Sequence, residues 1–378
     1  MTEQMAFAPS GSVPTPLRTV EAEIARQMKA LQGPGERPVQ SARMSNLVIF
    51  SDNREQAQSL AAEVAEIVSI HPARVLLVLG EGEIDDAPIT ASTLVRPRPS
   101  KAATDACFEI ISLHAAGATT PRLPFAVRAL LVGDLPINLW WASNQPPPFA
   151  GAFLFDLAEN AQQIIYDSSG WLDPTRSVAS TAHWLEGITK GLPGGRWRVA
   201  SDVNWRRLKY WRRLLAQTLD PTVAGGAAAT ATELLLEHGP HAVIQAWELA
   251  SWLTRRLGWK VRAGKVEPGT EIRWTFDAPH GAVAVRIKRH PEGPSEIRLV
   301  RLHCRMGDKP TMLLFRPTDA TRLEVVSEGV SAASRTISVL PLSFAELVGR
   351  QLSDRERDPV FTESMATAQT LAQSLMKK

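Results

Sequence analysis

The chain has 378 residues, of which 44% are hydrophobic and 21% charged, so its composition excludes a wholly disordered protein and its length predicts two domains. The formal net charge of +3 does not by itself indicate a nucleic-acid or membrane partner. The sequence shows neither a secretory leader nor an apolar run of the about 18 residues that a membrane-spanning helix needs. We therefore expect a cytoplasmic protein with no membrane partner.

The first part of the chain divides into an arm and a domain. Residues 1–40 are predicted to form a loose arm followed by a helix over about 17–31, which a Gly-Pro-Gly sequence at 33–35 ends. Residues 41–200 are predicted to form an α/β domain, because apolar strand-like runs alternate with helical patterns.

The strands of that domain are apolar throughout rather than alternating. The runs at 44–50 and 74–79 have this character, which is typical of parallel strands covered on both faces. Asp52 or Asn53 is suited to cap the helix that follows the first run. Further strands are predicted at 105–113, 137–142 and 163–166, and further helices at 123–131 and 153–160. The whole pattern predicts a doubly wound domain with a mostly parallel sheet.

The second half of the chain has a different pattern. Residues 201–257 are predicted to be a segment rich in Trp and Arg, with helices over 202–217 and 238–257 joined by a flexible connector at 224–231. Residues 258–378 are predicted to form an α+β domain. Its short strands alternate apolar and polar residues, as a largely antiparallel sheet does, and helices over 343–352 and 359–376 follow.

Signals for catalysis, a cofactor or a metal are absent from the sequence. The turn after the first strand, residues 51–55, contains no glycine and so lacks the dinucleotide fingerprint. His238 and His241 are close in sequence, but Gly239 and Pro240 between them break the helix that a metal site at this spacing needs. No nucleophile motif is present. We therefore predict no catalytic residue, no cofactor and no metal, and expect a protein that is not an enzyme.

A polar loop follows the last predicted strand of the α/β domain. It contains Asp167, Ser168, Ser169 and Trp171, with Gly170 between them. Ligands of open α/β sheets bind beyond the carboxyl ends of the strands, so a carboxylate and two hydroxyls here could hold a sugar phosphate. The same residue types also favour turns and helix caps. Both interpretations stay open at this point.

The strongest local signal is the sequence SDVNWRRLKYWRRLL at residues 201–215. It combines an apolar stripe at helical spacing with five cations. Such a helix can bury its stripe in a core, form a protein interface, in which Trp and Arg are enriched, or bind nucleic acid. A contact with another protein is the preferred functional interpretation, and its candidate residues are Trp205, Arg206, Arg207, Lys209, Arg212 and Arg213.

Several short sequences, in order, resemble the glucose-6-phosphate dehydrogenase assembly protein family, OpcA. They are MSNLV at 44–48, HPAR at 71–74, DLP at 134–136 with LWW at 139–141, DSS at 167–169, and DVNWRR at 202–207 with WR at 211–212. The resemblance covers about residues 40–215. The C-terminal β region is compatible with the family in length and position but is less distinctive.

The resemblance implies a non-catalytic partner of glucose-6-phosphate dehydrogenase. Members of the family promote the oligomeric assembly and the activity of that enzyme, at the start of the oxidative pentose phosphate pathway. The candidate contact residues named above come from the sequence pattern and not from the resemblance. Cyanobacterial members are associated with redox control through a cysteine pair. Cys107 and Cys304 fall in different predicted domains, so we do not expect such a pair here.

Overall fold

The computed structural model describes residues 5–32, 40–82, 86–98, 106–189, 198–224, 226–267, 271–329 and 334–376. The chain forms two compact units, and each is assembled from three segments rather than from one continuous range. The first unit comprises Met1–Asp167, Ile188–Val203 and Leu342–Arg357. The second unit comprises Ser168–Gly187, Asn204–Pro341 and Asp358–Lys378. The helix end predicted at 33–35 lies outside the described residues.

The first unit is built on a mixed β-sheet. Its described strands are β1 Val13–Pro14, β2 Gln40–Ser41, β3 Ser45–Ser51, β4 Ala73–Glu81, β5 Ala87–Pro97, β6 Ala106–Ala116, β7 Ile137–Trp141, β8 Gln163–Tyr166 and β9 Val199–Asp202. Their order is β1-β5-β6-β4-β3-β7-β8-β9, with β2 beside β6. The pairs β1/β5 and β5/β6 are antiparallel and the other described pairs are parallel. The predicted α/β class is confirmed, and β5 makes the sheet mixed.

Helices are distributed over both units. They are α1 Val20–Ala30, α2 Arg54–Ile70, α3 Leu123–Leu130, α4 Ala152–Leu157, α5 Pro174–Thr189, α6 Val203–Arg207, α7 Lys209–Thr218, α8 Val243–Arg256, α9 Phe344–Ser353 and α10 Pro359–Met376. Asn53 caps α2, since its side chain accepts a hydrogen bond from the Gln56 backbone N–H. A capping box between Ser343 and Glu346 starts α9.

The core of the first unit lies between the parallel strands and the helices α2 and α9. Leu47 and Val75 from the central strands and Val64 from α2 are fully buried there, and Val348 of α9 joins them. The C-terminal segment of the chain therefore completes the core of the N-terminal α/β unit. His71 links α9 to the sheet, because its Nε2 atom lies 3.1 Å from Ser45 Oγ of β3 and its Nδ1 atom lies 3.2 Å from Ser353 Oγ of α9.

The second unit contains a sheet of eight described strands. They are β10 Glu233–His238, β11 Lys260–Glu267, β12 Glu271–Ala278, β13 Gly281–Arg289, β14 Ile297–Met306, β15 Lys309–Asp319, β16 Arg322–Glu328 and β17 Arg335–Ser338. Their order is β11-β12-β13-β10-β14-β15-β16-β17, and only the β10/β13 pair is parallel. The predicted, largely antiparallel sheet is confirmed.

Strand β10 corrects the prediction for this part of the chain. The sequence pattern did not predict this strand and placed the start of the following helix at 238, whereas β10 lies in the middle of the sheet and α8 begins only at Val243. His241 has a positive φ of 63°, and Pro240 precedes it, so the backbone turns between strand and helix.

Helices α8 and α10 cover one face of this sheet. Trp247 of α8 meets Trp274 of β12 edge to face, with ring centroids 5.0 Å apart. The Trp274 Nε1–H donates to the Leu371 carbonyl of α10 at 3.2 Å. At Gly264 of β11 a Cβ atom would lie 2.6 Å from Ser374 Oγ, so glycine is what allows α10 to approach this strand.

Candidate functional site

The Trp- and Arg-rich segment is two short helices rather than the single helix predicted over 202–217. Helix α6 ends at Arg207 and α7 begins at Lys209. Leu208 between them is fully buried and has φ −75° and ψ −2°. The interruption rotates the second helix relative to a continuous α-helical stripe, so the sequence spacing alone does not give the faces of these helices.

Trp205 lies in the core of the second unit. Its side chain is 6% exposed, its Nε1–H donates to Asp358 Oδ2 at 2.7 Å, and its ring centroid is 5.4 Å from that of Phe361. Asp358 and Phe361 belong to the start of α10, which Asp358 caps by accepting from the Phe361 N–H. Trp205 therefore packs α6 against the start of α10, the C-terminal helix of the same unit, and hydrogen-bonds to it.

Arg212 covers the other face of that indole. Its Cζ atom is 3.4 Å from the centroid of the Trp205 ring, a close cation–π contact. Burial lowers the pKa of Arg212 to about 10, and the nearby carboxylates of Asp358 and Glu248 oppose that shift. Arg212 thus lies near the exposed carboxylate of Asp358 and the buried carboxylate of Glu248, and its Nη1 atom is directed to the interior rather than to solvent.

The remaining cations of the segment divide by exposure. Lys209 and Arg213 are exposed, four residues apart on α7, and therefore share one face of that helix. Arg206 and Arg207 are half-buried. The fully exposed positive face consequently contains two of the five predicted cations.

The polar loop at 167–171 meets the start of the same segment. Asn204 connects them within the second unit: its Nδ2 donates to Ser168 Oγ at 2.9 Å and its Oδ1 accepts from Ser169 Oγ at 3.1 Å. Arg207 Nη1 donates to Asn204 Oδ1 at 2.8 Å and to Ser169 Oγ at 3.1 Å. Sequence reasoning named the serines and Arg207 separately, but it missed Asn204, which links them.

The other members of the loop are held by the fold. Gly170 has φ 74°, and its N–H donates to the His241 carbonyl at 3.1 Å. Trp171 is 4% exposed. Asp167 is half-buried and is the last residue of its segment in the first unit. A guanidinium beside two hydroxyls is chemistry that suits a phosphate, but here these groups bond to one another.

Aromatic side chains fill the edge of the first sheet where a nucleotide binds in many α/β folds. The strand order reverses at β3 and β7, and ligands of open sheets bind beyond the carboxyl ends at such a point. Phe50 at the end of β3 stacks on Trp141 of β7 with centroids 4.6 Å apart, and Phe153 lies 5.0 Å from Phe50. Ser143 Oγ donates to Asp52 Oδ2 at 2.6 Å beside them.

A partly buried cluster of Glu81, His114 and Arg54 lies at the neighbouring strand ends. Glu81 Oε2 lies 2.7 Å from His114 Nε2 and 2.5 Å from Arg54 Nη2. These residues come from β4, β6 and the first turn of α2. They were not among the predicted site residues, because nothing in their spacing along the chain shows that three separate elements converge.

The described residues contain no group of three or more His, Cys, Asp or Glu side chains arranged to hold a metal ion. Cys107 and Cys304 are free and buried, and burial raises the pKa of both thiols, that of Cys304 to about 11. No helix in the part of the chain that the structure describes is long and apolar enough to cross a membrane.

Family comparisons match both halves of the chain. Residues 64–183 match the family model for the N-terminal domain of the glucose-6-phosphate dehydrogenase subunit, and residues 198–365 match the model for its C-terminal domain. Fold and comparisons together define a two-part α/β protein of the class that carries these two domains in tandem. The chain belongs to the OpcA family of glucose-6-phosphate dehydrogenase assembly proteins.

Curated relatives named OpcA, from the OxPP cycle, share about a quarter of their residues with the chain. The protein of Nostoc punctiforme is 28% identical over 207 residues, which are 54% of this chain and 42% of that protein. The protein of Synechococcus elongatus is 26% identical over 300 residues, which are 74% of this chain and 64% of that protein. The chain therefore spans about two fifths to two thirds of the length of these relatives.

Among solved structures, a protein from Parabacteroides merdae that is described as a putative oxidoreductase shares the fold. The TM-score is 0.51 at 8% identity, with 89% of this chain and 98% of that one covered. At this identity the likeness extends to the fold alone.

Proposed function

We propose that this protein is a non-catalytic assembly partner and activator of glucose-6-phosphate dehydrogenase, acting in the cytoplasm at the first step of the oxidative pentose phosphate pathway and thereby in NADPH supply. The observation that carries the proposal is the tandem match of both family domains, over 64–183 and 198–365. The names of the curated relatives, which place them in the OxPP cycle, support the pathway.

The geometry of the candidate site supports a non-catalytic role for the protein. Phe50, Trp141 and Phe153 pack together beside the strand ends at which ligands of open α/β sheets bind. The polar groups of the 167–171 loop bond to Asn204 and Arg207, which favours a structural function for that loop over a sugar-phosphate site.

Activation follows from differential binding. A protein that binds the active oligomer of the dehydrogenase more tightly than its inactive form shifts the population toward the active form. A tenfold shift requires about 1.4 kcal/mol of differential binding free energy. A few contacts of aromatic or arginine side chains are sufficient for that difference.

Within the Trp- and Arg-rich segment, exposure separates contact residues from supporting residues. Lys209 and Arg213 are accessible to a partner, with Arg206 and Arg207 beside them in sequence. Trp205 is buried, and Arg212 is half-buried with its guanidinium over the Trp205 ring, so both position the contact surface instead of forming it. Two fully exposed cations are few for nucleic-acid binding, which depends on many phosphate contacts.

The test is to mix the purified chain with glucose-6-phosphate dehydrogenase of the same organism. We expect co-elution on size exclusion and a higher turnover or a lower apparent KM for glucose 6-phosphate. Unchanged kinetics together with separate elution, with and without substrate and reductant, would refute the proposal.

A further inference from the structure

Three exposed phenylalanines lie on elements of the first unit that contact one another. Phe125 is 65% exposed, Phe155 53% and Phe149 38%, and these are the phenylalanines that the described residues leave exposed. Phe125 lies on α3 and Phe155 on α4, two helices that pack against each other, and Phe149 lies in the 3-10 turn just before α4. We call these three residues the phenylalanine surface. A cluster of exposed large apolar side chains is characteristic of a contact surface.

The buried residues of α3 and α4 show that the fold does not require phenylalanine at these exposed positions. Helix α3 already buries Leu123, Val127 and Leu130 against the unit, and α4 buries Leu154 and Leu157. Phe125 and Phe155 lie on the opposite, solvent side, where a polar residue would satisfy both helices equally well. Their presence therefore calls for an explanation outside the folding of the chain itself.

The two helices also line a small groove, and the three phenylalanines are not among its lining residues. Its apolar lining includes Val48, Val127, Leu131 and Leu157. An ion pair between Arg128 and Glu159 links α3 to the end of α4. The Arg128 guanidinium also lies 5.7 Å from the centroid of the Phe125 ring, within the range of a cation–π contact.

The charges around the groove identify the chemistry of its occupant. Asp156 and Glu159 are exposed carboxylates in the lining, and Arg128, the one cation that lines the described groove, is paired with Glu159. The rim is therefore acidic, which disfavours phosphates of nucleic acids and of lipid headgroups. It fits a protein surface that offers apolar side chains within a basic rim. A second copy of this chain, groove to groove, would bring carboxylates against carboxylates.

We propose that the phenylalanine surface is a docking site for glucose-6-phosphate dehydrogenase, and that apolar side chains of the enzyme pack against Phe125 and Phe155. The proposal rests on the assembly function proposed above and names a surface for it. Both helices lie within residues 64–183, the range matched to the family's N-terminal domain. This surface lies in the first unit, and it is distinct from the Lys209/Arg213 face of the second.

The test compares Phe125→Ser/Phe155→Ser with a matched control, Leu172→Ser/Val266→Ser. The control also replaces two exposed apolar residues, 87% and 62% accessible, but in the second unit. Biolayer interferometry measures the affinity of each variant for the dehydrogenase, and the turnover of the enzyme is measured in parallel. The melting temperature of each variant shows whether it is folded. We expect the phenylalanine variant to bind at least about tenfold more weakly, and the control to stay within about twofold of wild type.

The outcomes separate the two proposals. Wild-type affinity in the phenylalanine variant overturns the docking site while leaving the assembly function intact. If the wild-type chain itself does not bind the dehydrogenase, both proposals fail together. If the variant loses only self-association of the chain and still binds the enzyme normally, the surface joins copies of this chain and the proposed occupant is wrong.

Discussion

Arg212 and Trp205 form one structural element: the guanidinium lies 3.4 Å above the indole, whose N–H bonds to Asp358. Removing the indole in Trp205→Ala leaves a cavity, exposes Arg212 and leaves Asp358 without this donor. We expect the free energy of unfolding to fall by about 3–5 kcal/mol, as for other buried aromatic residues. Urea denaturation measures it, and Lys209→Ala on the exposed face should change it by less than about 0.5 kcal/mol.

The exposed cations of α7 are predicted to act in binding, not in folding. The variant Lys209→Glu/Arg213→Glu reverses the charge of this face, so the dehydrogenase should associate with it more slowly and bind about tenfold more weakly. The association rate should also depend less on ionic strength than it does for wild type. Stopped-flow association at two salt concentrations measures this. Lys288→Glu/Arg289→Glu, with two exposed charges reversed elsewhere in the second unit, provides the control. Equal effects of both variants would show that only net charge matters.

These two predictions show what the sequence could and could not reveal. The strand β3 and its capped helix α2 were predictable, because apolar runs and Asn caps are local signals. The orientation of Arg212 was not, because the Trp205 ring that it contacts is held by Asp358, which is distant in the sequence. Strand β10 was missed because a run of three leucines fits a strand and a helix alike.

The assembly of each unit from three segments was also beyond sequence reasoning. Helix α9 completes the core of the first unit and α10 that of the second, although they are neighbours in the chain. The short range between them, 354–358, has no composition that signals a change of unit. The same limit applies to the site: Asn204 lies inside a motif that was recognised, but its bonds to Ser168 and Ser169 are long-range contacts.

His71 should make the first unit less stable in acid. Burial, with the nearby charge of Arg355, lowers the pKa of this imidazole to about 4 from 6.5. The unfolded chain then binds the proton more readily than the folded one, so stability is complete above pH 6.5 and is lost as pH falls toward 4, by up to about 3 kcal/mol. Urea denaturation of wild type and His71→Asn at several pH values measures how much of the pH dependence of stability comes from His71. His238, whose pKa is also lowered by burial, adds the same pH dependence to both proteins and so cancels in the comparison. A wild-type pH dependence that persists in His71→Asn would contradict the assignment.

The buried pair of Arg74 and Glu109 should be sensitive to removal of one partner. Their side chains are 2% and 1% exposed, and Arg43 also bonds to Glu109, at 2.7 Å. Arg74→Met leaves a buried carboxylate with reduced compensation, and we expect a loss of about 3–5 kcal/mol. In Arg74→Met/Glu109→Leu the charge is gone, and most of that stability should return. A double variant no more stable than the single one would show that packing, not charge, sets the loss.

The two thiols should not function as a redox switch. Both are buried, and burial raises the pKa of each, so little thiolate forms at neutral pH. Iodoacetamide at pH 8 should label neither Cys107 nor Cys304 in the native chain and both in urea, as mass spectrometry can follow. Activation of the dehydrogenase should be the same after treatment with reductant or diamide. Rapid native labelling of either cysteine would contradict the buried state.

The central claim is that this chain promotes the active oligomer of glucose-6-phosphate dehydrogenase. Mass photometry of the enzyme at nanomolar concentration, with and without the chain, measures it directly, and turnover can be followed in the same samples. We predict that the chain joins the enzyme in a larger complex and that turnover rises with the fraction of that complex. An enzyme whose mass distribution and turnover are both unaffected by a folded chain in excess would contradict the account.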